Sequence, residues 1–148
     1  MKVVIQKVAK AKVEVEEKKI AEIKKGFVVL LGITHGDTRQ EAEYLANKIS
    51  KLRVFEDQNQ KMNLGIQEVQ GEIIVVSQFT LYGDCAKGNR PSFTEAADPS
   101  VAQELYEYFI QQLRELGILT QCGSFGAHMQ VSLCNDGPVT LIIEKKHE

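Results

Sequence analysis

Apolar and charged residues alternate along the first part of the chain. Residues 9–16 alternate without interruption, and this period of two predicts a strand with one buried face. Residues 3–8 predict a strand before it, and residues 20–24 repeat the alternation more weakly. Residues 27–34, FVVLLGIT, form a short apolar run rich in β-branched side chains, which predicts a strand buried on both faces.

Two segments change to helical periodicity. Thr38 and Glu41 form a capping-box pattern, which predicts a helix over about 38–52. Asp98 before Pro99 predicts the start of a second helix, and Gly117 predicts its end. The apolar residues at helical spacing are Ala42, Leu45, Ile49 and Leu52 in the first segment and Val101, Leu105, Phe109, Leu113 and Leu116 in the second.

The remaining apolar runs are short and typical of strands. They cover residues 53–55, 72–82, 118–122, 129–134 and 139–144. Between them, residues 56–71 predict a loop or hairpin, 83–97 a surface loop and 135–140, NDGPVT, a hairpin turn. Eight or nine strands and two helices without regular alternation predict an α+β fold with mainly antiparallel pairing, in a single domain over 1–148.

Composition places the chain among globular proteins and excludes strongly basic or disordered classes. Hydrophobic residues make up 43% and charged residues 26% of the 148 residues, and the net charge is −2. Residues 1–26 nevertheless carry eight Lys and four Glu. This basic edge is either a solvated strand face or a surface for a polyanionic partner. No segment predicts a signal peptide or a membrane span, so we expect a cytoplasmic protein.

The cysteines and histidines predict no disulfide framework, metal site or cofactor. Cys85, Cys122 and Cys134 are odd in number and widely spaced, and the three histidines form no closely spaced pair. One alternative left open is a small-molecule amidase or esterase in which Ser77 or Cys85 acts with His128. A second is a nucleic-acid-binding module without catalysis, resting on the basic edge.

Four short motifs carry a specific resemblance. They are SQFTLYGD at 77–84, RPSF at 90–93, FGAHMQV at 125–131 and NDGPVT at 135–140. With their order and spacing, the whole chain resembles the D-aminoacyl-tRNA deacylases. The resemblance implies a β-barrel-like fold with two main helices packed outside, and a homodimer with its pockets at or near the subunit interface.

The resemblance also implies an activity and a set of site residues. The activity is hydrolysis of the ester between a D-amino acid, or glycine, and the 3′-terminal adenosine of tRNA, while L-aminoacyl-tRNA is spared. Ser77, Gln78 and Thr80 are then the catalytic segment, with Thr80 either a nucleophile or a positioning group beside the substrate's own 2′-hydroxyl. The expected substrate-binding residues are Phe79, Phe125, Met129, Gly137, Pro138, Val139 and Thr140.

Within that set, two expectations are the most specific. The Gly137–Pro138 bond is expected to be cis and to enter the pocket of the other subunit. Phe125 and Met129 are expected near the terminal adenine, where an aromatic ring and a thioether can sandwich a base. From the residues alone, both side chains could equally belong to the core.

Overall fold

The computed structural model describes residues 1–147. Within them the chain forms eight strands, two α-helices and one 3₁₀ helix. The strands are β1 Lys2–Val15, β2 Lys18–Ile23, β3 Gly26–Gly32, β4 Phe55–Glu56, β5 Met62–Leu64, β6 Glu72–Ser77, β7 Leu119–Cys122 and β8 Gln130–Glu144. The helices are α1 Arg39–Lys51, the 3₁₀ helix Phe79–Tyr82 and α2 Pro99–Glu115.

Six strands form one mixed sheet in the order β2-β1-β3-β6-β7, with β8 paired to β1. The pairings of β1 with β2, β3 and β8 are antiparallel, whereas β3–β6 and β6–β7 are parallel. A separate antiparallel hairpin joins β4 and β5 in the segment predicted to be a loop or hairpin. The fold is thus α+β and barrel-like with mainly antiparallel pairing, as expected, and the two parallel pairings are those that β6 makes with β3 and β7.

The long strand β1 covers the two strands predicted over 3–8 and 9–16. Its first half pairs with β3 and its second half with β2, while β8 follows it along both halves. Because the register shifts on both sides of Val8, the two halves bury different faces. Val3 and Ile5 enter the core under the helices, and Val8 and Val13 enter a second core inside the barrel.

Both helices pack on the same outer face of the sheet. The predicted capping box is present, with the Thr38 N–H donating to Glu41 Oε1 at 2.7 Å. In α2, Pro99 is the first residue, and Gly117, with φ +90°, follows the end of the helix. The apolar stripe of each helix packs on the sheet. The buried residues are Leu45 and Ile49 of α1, Phe109 and Leu113 of α2, Phe27 and Val29 of β3, and Ile73 and Val75 of β6.

A single side chain closes the gap between β7 and β2. The Gln121 amide donates to the Glu22 carbonyl at 2.7 Å, and its oxygen accepts from the Glu22 N–H at 2.9 Å. This arrangement reproduces the two hydrogen bonds of an antiparallel pair without a strand in register. The sheet therefore curls into a barrel around the second core.

Two sequence predictions are wrong in detail. The strand predicted over 72–82 ends at Ser77, because β3 offers no partner beyond Gly32 and the chain turns into the 3₁₀ helix. Residues 135–140 are not a hairpin turn but lie inside β8. Asn135 faces Val8 and Thr140 faces Gln6, so the residues between them bulge from the strand.

Candidate active site

A cavity of about 610 Å³ opens where β3 and β6 end. Because the two strands are parallel, their carboxyl ends bring Leu31 and Ser77 to the same edge of the sheet. The start of α2 and the segment between β7 and β8 close the other sides. The lining side chains are mainly apolar and include Leu31, Ile33, Phe93, Ala97, Ala102 and Val131.

The expected catalytic segment lies partly in this cavity. Ser77, Gln78 and Phe79 line it, and the Gln78 N–H still donates to the Leu31 carbonyl at 2.8 Å. Thr80 is exposed and does not line the cavity of its own chain, although its hydroxyl accepts a hydrogen bond from the Gln78 amide. The turn after β6 thus fixes the Gln78 backbone and joins its side chain to Thr80.

Phe125 and Met129 line the opposite wall. The Phe125 ring packs edge-on against Tyr106 of α2, with centroids 5.6 Å apart and planes at 62°. Met129 Sδ accepts the Ser124 N–H at 3.4 Å. A Cβ at Gly123 would lie 2.5 Å from that sulfur, so any other residue there would displace the Met129 thioether. Both side chains are half-buried and present part of their surface to the cavity.

The Gly137–Pro138 bond is cis, as predicted. Both residues are exposed on the bulge of β8, and neither lines the cavity of their own chain. The bulge is held by the Asn135 side chain, which donates to Thr140 Oγ1 at 3.0 Å and accepts the Val139 N–H at 3.1 Å. Val139 and Thr140 likewise lie outside the cavity, so one chain alone does not join this segment to Ser77 and Gln78.

His128 also lines the cavity, but it forms no acid–base pair. Within residues 1–147 its ring makes no hydrogen bond to Ser77, Cys85 or Cys122. The same described residues contain no cluster of three His, Cys, Asp or Glu side chains that could hold a metal ion. No helix among them is both long and apolar enough to cross a membrane.

Two residues of the site had little signal in the sequence. Tyr106 occupies a core position of α2 and resembles the apolar residues around it, yet its buried hydroxyl donates toward the carbonyls of Val75, at 3.3 Å, and Gly123, at 3.4 Å. Burial raises the pKa of Tyr106, so the phenol stays neutral and remains a donor. Phe93 falls in the RPSF motif, but nothing in its spacing placed it at the cavity.

The fold and cavity define a single-chain α+β barrel with a binding site at the ends of two parallel strands. Residues 4–144 match the family model described as D-Tyr-tRNA(Tyr) deacylase, and the chain belongs to that family.

Relatives and a solved structure agree over the full length. A D-aminoacyl-tRNA deacylase of Desulfatibacillum aliphaticivorans is 58% identical over 146 residues, covering 99% of this chain and 100% of the relative. One from Thermosipho africanus (strain TCF52B) is 52% identical over 146 residues, covering 99% and 98%. The solved structure of a c-Myc DNA unwinding element binding protein matches with a TM-score of 0.93 and 43% identity, covering 99% of this chain and 100% of that one.

Proposed function

We propose that the chain hydrolyses the ester between a D-amino acid, or glycine, and the 3′-terminal adenosine of tRNA, and that it spares L-aminoacyl-tRNA. Membership of the deacylase family over residues 4–144 carries the proposal. The cavity supports it, because Ser77, Gln78, Phe125 and Met129 surround one space large enough for an aminoacyl-adenosine. In this proposal, the hydrolysis of aminoacyl-tRNA takes place in the cytoplasm.

The terminal adenine lies between Phe125 and Met129 in this proposal. The ester then reaches the turn after β6, where the backbone N–H groups of Phe79 and Thr80 make no hydrogen bond within residues 1–147. Such donors stabilise the oxyanion that forms when water attacks the ester carbonyl. An aminoacyl ester is already activated, so the substrate's 2′-hydroxyl, positioned by Gln78 and Thr80, assists the attack.

Selection against L-amino acids requires a rigid wall beside the α-carbon. The exposed Gly137–Pro138 bulge supplies this wall from a second copy of the chain, in the proposal. Gly137 presents backbone atoms without a Cβ. Steric exclusion discriminates between D- and L-aminoacyl groups more strongly than one hydrogen bond does. Glycine has no side chain to exclude and passes the same wall.

The free edge of β8 supports such a dimer. This strand of 15 residues pairs with β1 on one side and, within the described part of the chain, with nothing on the other. Val131 and Ile142 on it are 36% and 69% exposed. A long unprotected edge with apolar side chains favours pairing with a second copy. Light scattering at micromolar concentration should therefore give about twice 16.6 kDa.

Ester loss from D-tyrosyl-tRNA tests the proposed activity. Wild-type protein should release D-tyrosine, and His128→Ala should release it at nearly the same rate, because no group in the mechanism depends on the imidazole. Complete loss of activity in a folded His128→Ala variant would instead favour the Ser77–His128 hydrolase.

A further inference from the structure

Two aromatic rings stand exposed at the rim of the cavity. Phe79 and Phe93 pack edge to face with centroids 5.0 Å apart and planes at 68°, and both line the cavity. They are 57% and 39% exposed. An exposed aromatic pair beside a nucleoside site is a stacking surface for a further base, because every base has an apolar face.

A short hairpin projects from the same rim. Asp84 and Ser92 exchange both backbone hydrogen bonds, at 2.7 and 2.9 Å, and the Asp84 carboxylate accepts the Ala86 N–H at 2.9 Å. This bridge directly precedes Phe93 and fixes the base of residues 85–91. At about 3.4 Å per residue, the tip reaches at most about 12 Å beyond the bridge.

The hairpin carries two cations without partners. Within residues 1–147, neither Lys87 nor Arg90 has a carboxylate oxygen within 4.0 Å. Only three Lys or Arg side chains among the described residues form ion pairs, namely Lys12, Lys19 and Arg39, so Lys87 and Arg90 are distinguished by their place beside the rim and not by the lack of a partner. Lys87 and Arg90 are therefore available to an anion that approaches the cavity mouth.

We propose that this rim holds the single-stranded 3′ end of tRNA just before the terminal adenosine. The penultimate base stacks on Phe79 and Phe93, and the preceding phosphates lie against Lys87 and Arg90. The inference rests on the proposed function, which places the terminal adenosine in the cavity. It also explains how a chain of net charge −2 binds a polyanion, because only the acceptor end needs to meet positive charge.

The first test measures binding of uncharged tRNA as a function of salt. Removing two single-strand phosphate contacts should make the slope of log affinity against log salt shallower by about 1.4 in Lys87→Ala/Arg90→Ala. Lys24→Ala/Lys25→Ala is the matched control. Those lysines are also exposed, and within residues 1–147 neither ammonium group has a carboxylate oxygen within 4.0 Å, but they precede β3, about 20 Å from its cavity end. An unchanged slope in the first variant, or an equal change in the control, overturns the proposal.

The second test compares D-tyrosyl-tRNA with D-tyrosyl-adenosine, which lacks the preceding nucleotides. The ratio of their kcat/KM values should fall about fivefold or more in Phe93→Leu and in the Lys87/Arg90 variant. Equal ratios in wild type and variants would overturn the rim proposal and leave the activity standing. A salt slope that changes as expected, with neither ester hydrolysed, would overturn the activity and leave the rim standing.

Discussion

The ring of Tyr106 packs against the ring of Phe125, with centroids 5.6 Å apart, and the Tyr106 hydroxyl donates toward the carbonyls of Val75 and Gly123. Val75 belongs to β6, which ends at Ser77, whereas Gly123 begins the segment that carries Phe125 and Met129. The Gly123 N–H also donates directly to the Val75 carbonyl at 3.0 Å, so the buried phenol adds a side-chain contact to a junction between the two walls that the backbone already forms.

Tyr106→Phe should weaken this junction without breaking the backbone hydrogen bond between Gly123 and Val75. The variant keeps the ring but loses the hydroxyl bonds, which should lower the free energy of unfolding by about 1 kcal/mol and Tm by about 2–4 °C. KM for D-tyrosyl-tRNA should rise more than kcat falls, because the base platform moves while the ester site does not. Tyr44→Phe, at an exposed position of α1 whose hydroxyl makes no hydrogen bond within residues 1–147, is the control. A larger effect on kcat than on KM would contradict this role.

Tyr82→Phe should have the opposite effect on stability to Tyr106→Phe. Its hydroxyl is buried and has no hydrogen-bond partner within residues 1–147, while its ring lies under the Lys2 ammonium at 4.8 Å. An unsatisfied buried hydroxyl costs about 1–3 kcal/mol, so Tyr82→Phe should leave the free energy of unfolding unchanged or raise it by about 1 kcal/mol. Chemical denaturation measures this value, and a loss of stability as large as that in Tyr106→Phe would refute the assignment.

Tyr82 and Tyr106 also determine how stability changes with pH in the alkaline range. Burial raises the pKa of both phenols, and for Tyr82 the carboxylates of Asp37 and Glu144 add to the shift. Above pH about 10 the unfolded chain therefore loses protons that the folded chain keeps, and stability falls as pH rises. The fall should be smaller in Tyr82→Phe/Tyr106→Phe.

How much the sequence could predict depends on how local each feature is. The Thr38–Glu41 capping box and the Pro99 start of α2 follow from residues a few positions apart, and both are present. The end of β6 at Ser77 depends on where its distant partner β3 ends. Ser77, Gln78 and Thr80 interrupt the apolar pattern, but the sequence alone did not show that the strand stops there. The bulge at Gly137–Pro138 has turn-forming residues, and only the pairing with β1 shows that the strand continues beyond it.

The candidate site shows the same division. The motifs located Ser77, Gln78, Phe125 and Met129, which the fold brings to one cavity. Tyr106 could not be found this way, because a tyrosine on the apolar stripe of a helix has the pattern of a core residue. Its role depends on two carbonyls that lie 31 and 17 residues away in the chain.

The two hydrogen bonds between the Gln121 side chain and the Glu22 backbone, here called the seam, should stabilise the barrel. In Gln121→Glu the side chain loses its donor, and its carboxylate faces the Glu22 carbonyl. The free energy of unfolding should fall by about 1–2 kcal/mol, and amides of β2 and β7 should exchange hydrogen faster. Gln58→Glu, at an exposed position without a side-chain hydrogen bond in the described residues, controls for the added charge. Equal protection of β2 and β7 in both variants would show that the seam contributes nothing.

Thr80→Val tests which group acts on the ester. If Thr80 only positions the substrate through Gln78, kcat should fall by about tenfold or less, whereas loss of a nucleophile costs about 10⁴-fold or more. The matched experiment replaces the terminal 2′-hydroxyl of the tRNA with hydrogen, and hydrolysis should then largely stop. An acyl group trapped on Thr80 would contradict the substrate-assisted mechanism.

The activity proposed for this cavity is the hydrolysis of D-aminoacyl esters and not of L-aminoacyl esters. The most direct measurement follows the loss of D-tyrosine and L-tyrosine from otherwise identical tyrosyl-tRNA under the same conditions. We expect the D-ester to disappear with turnover while the L-ester decays only at its rate without protein. Equal hydrolysis of both esters, or of neither, would contradict the account.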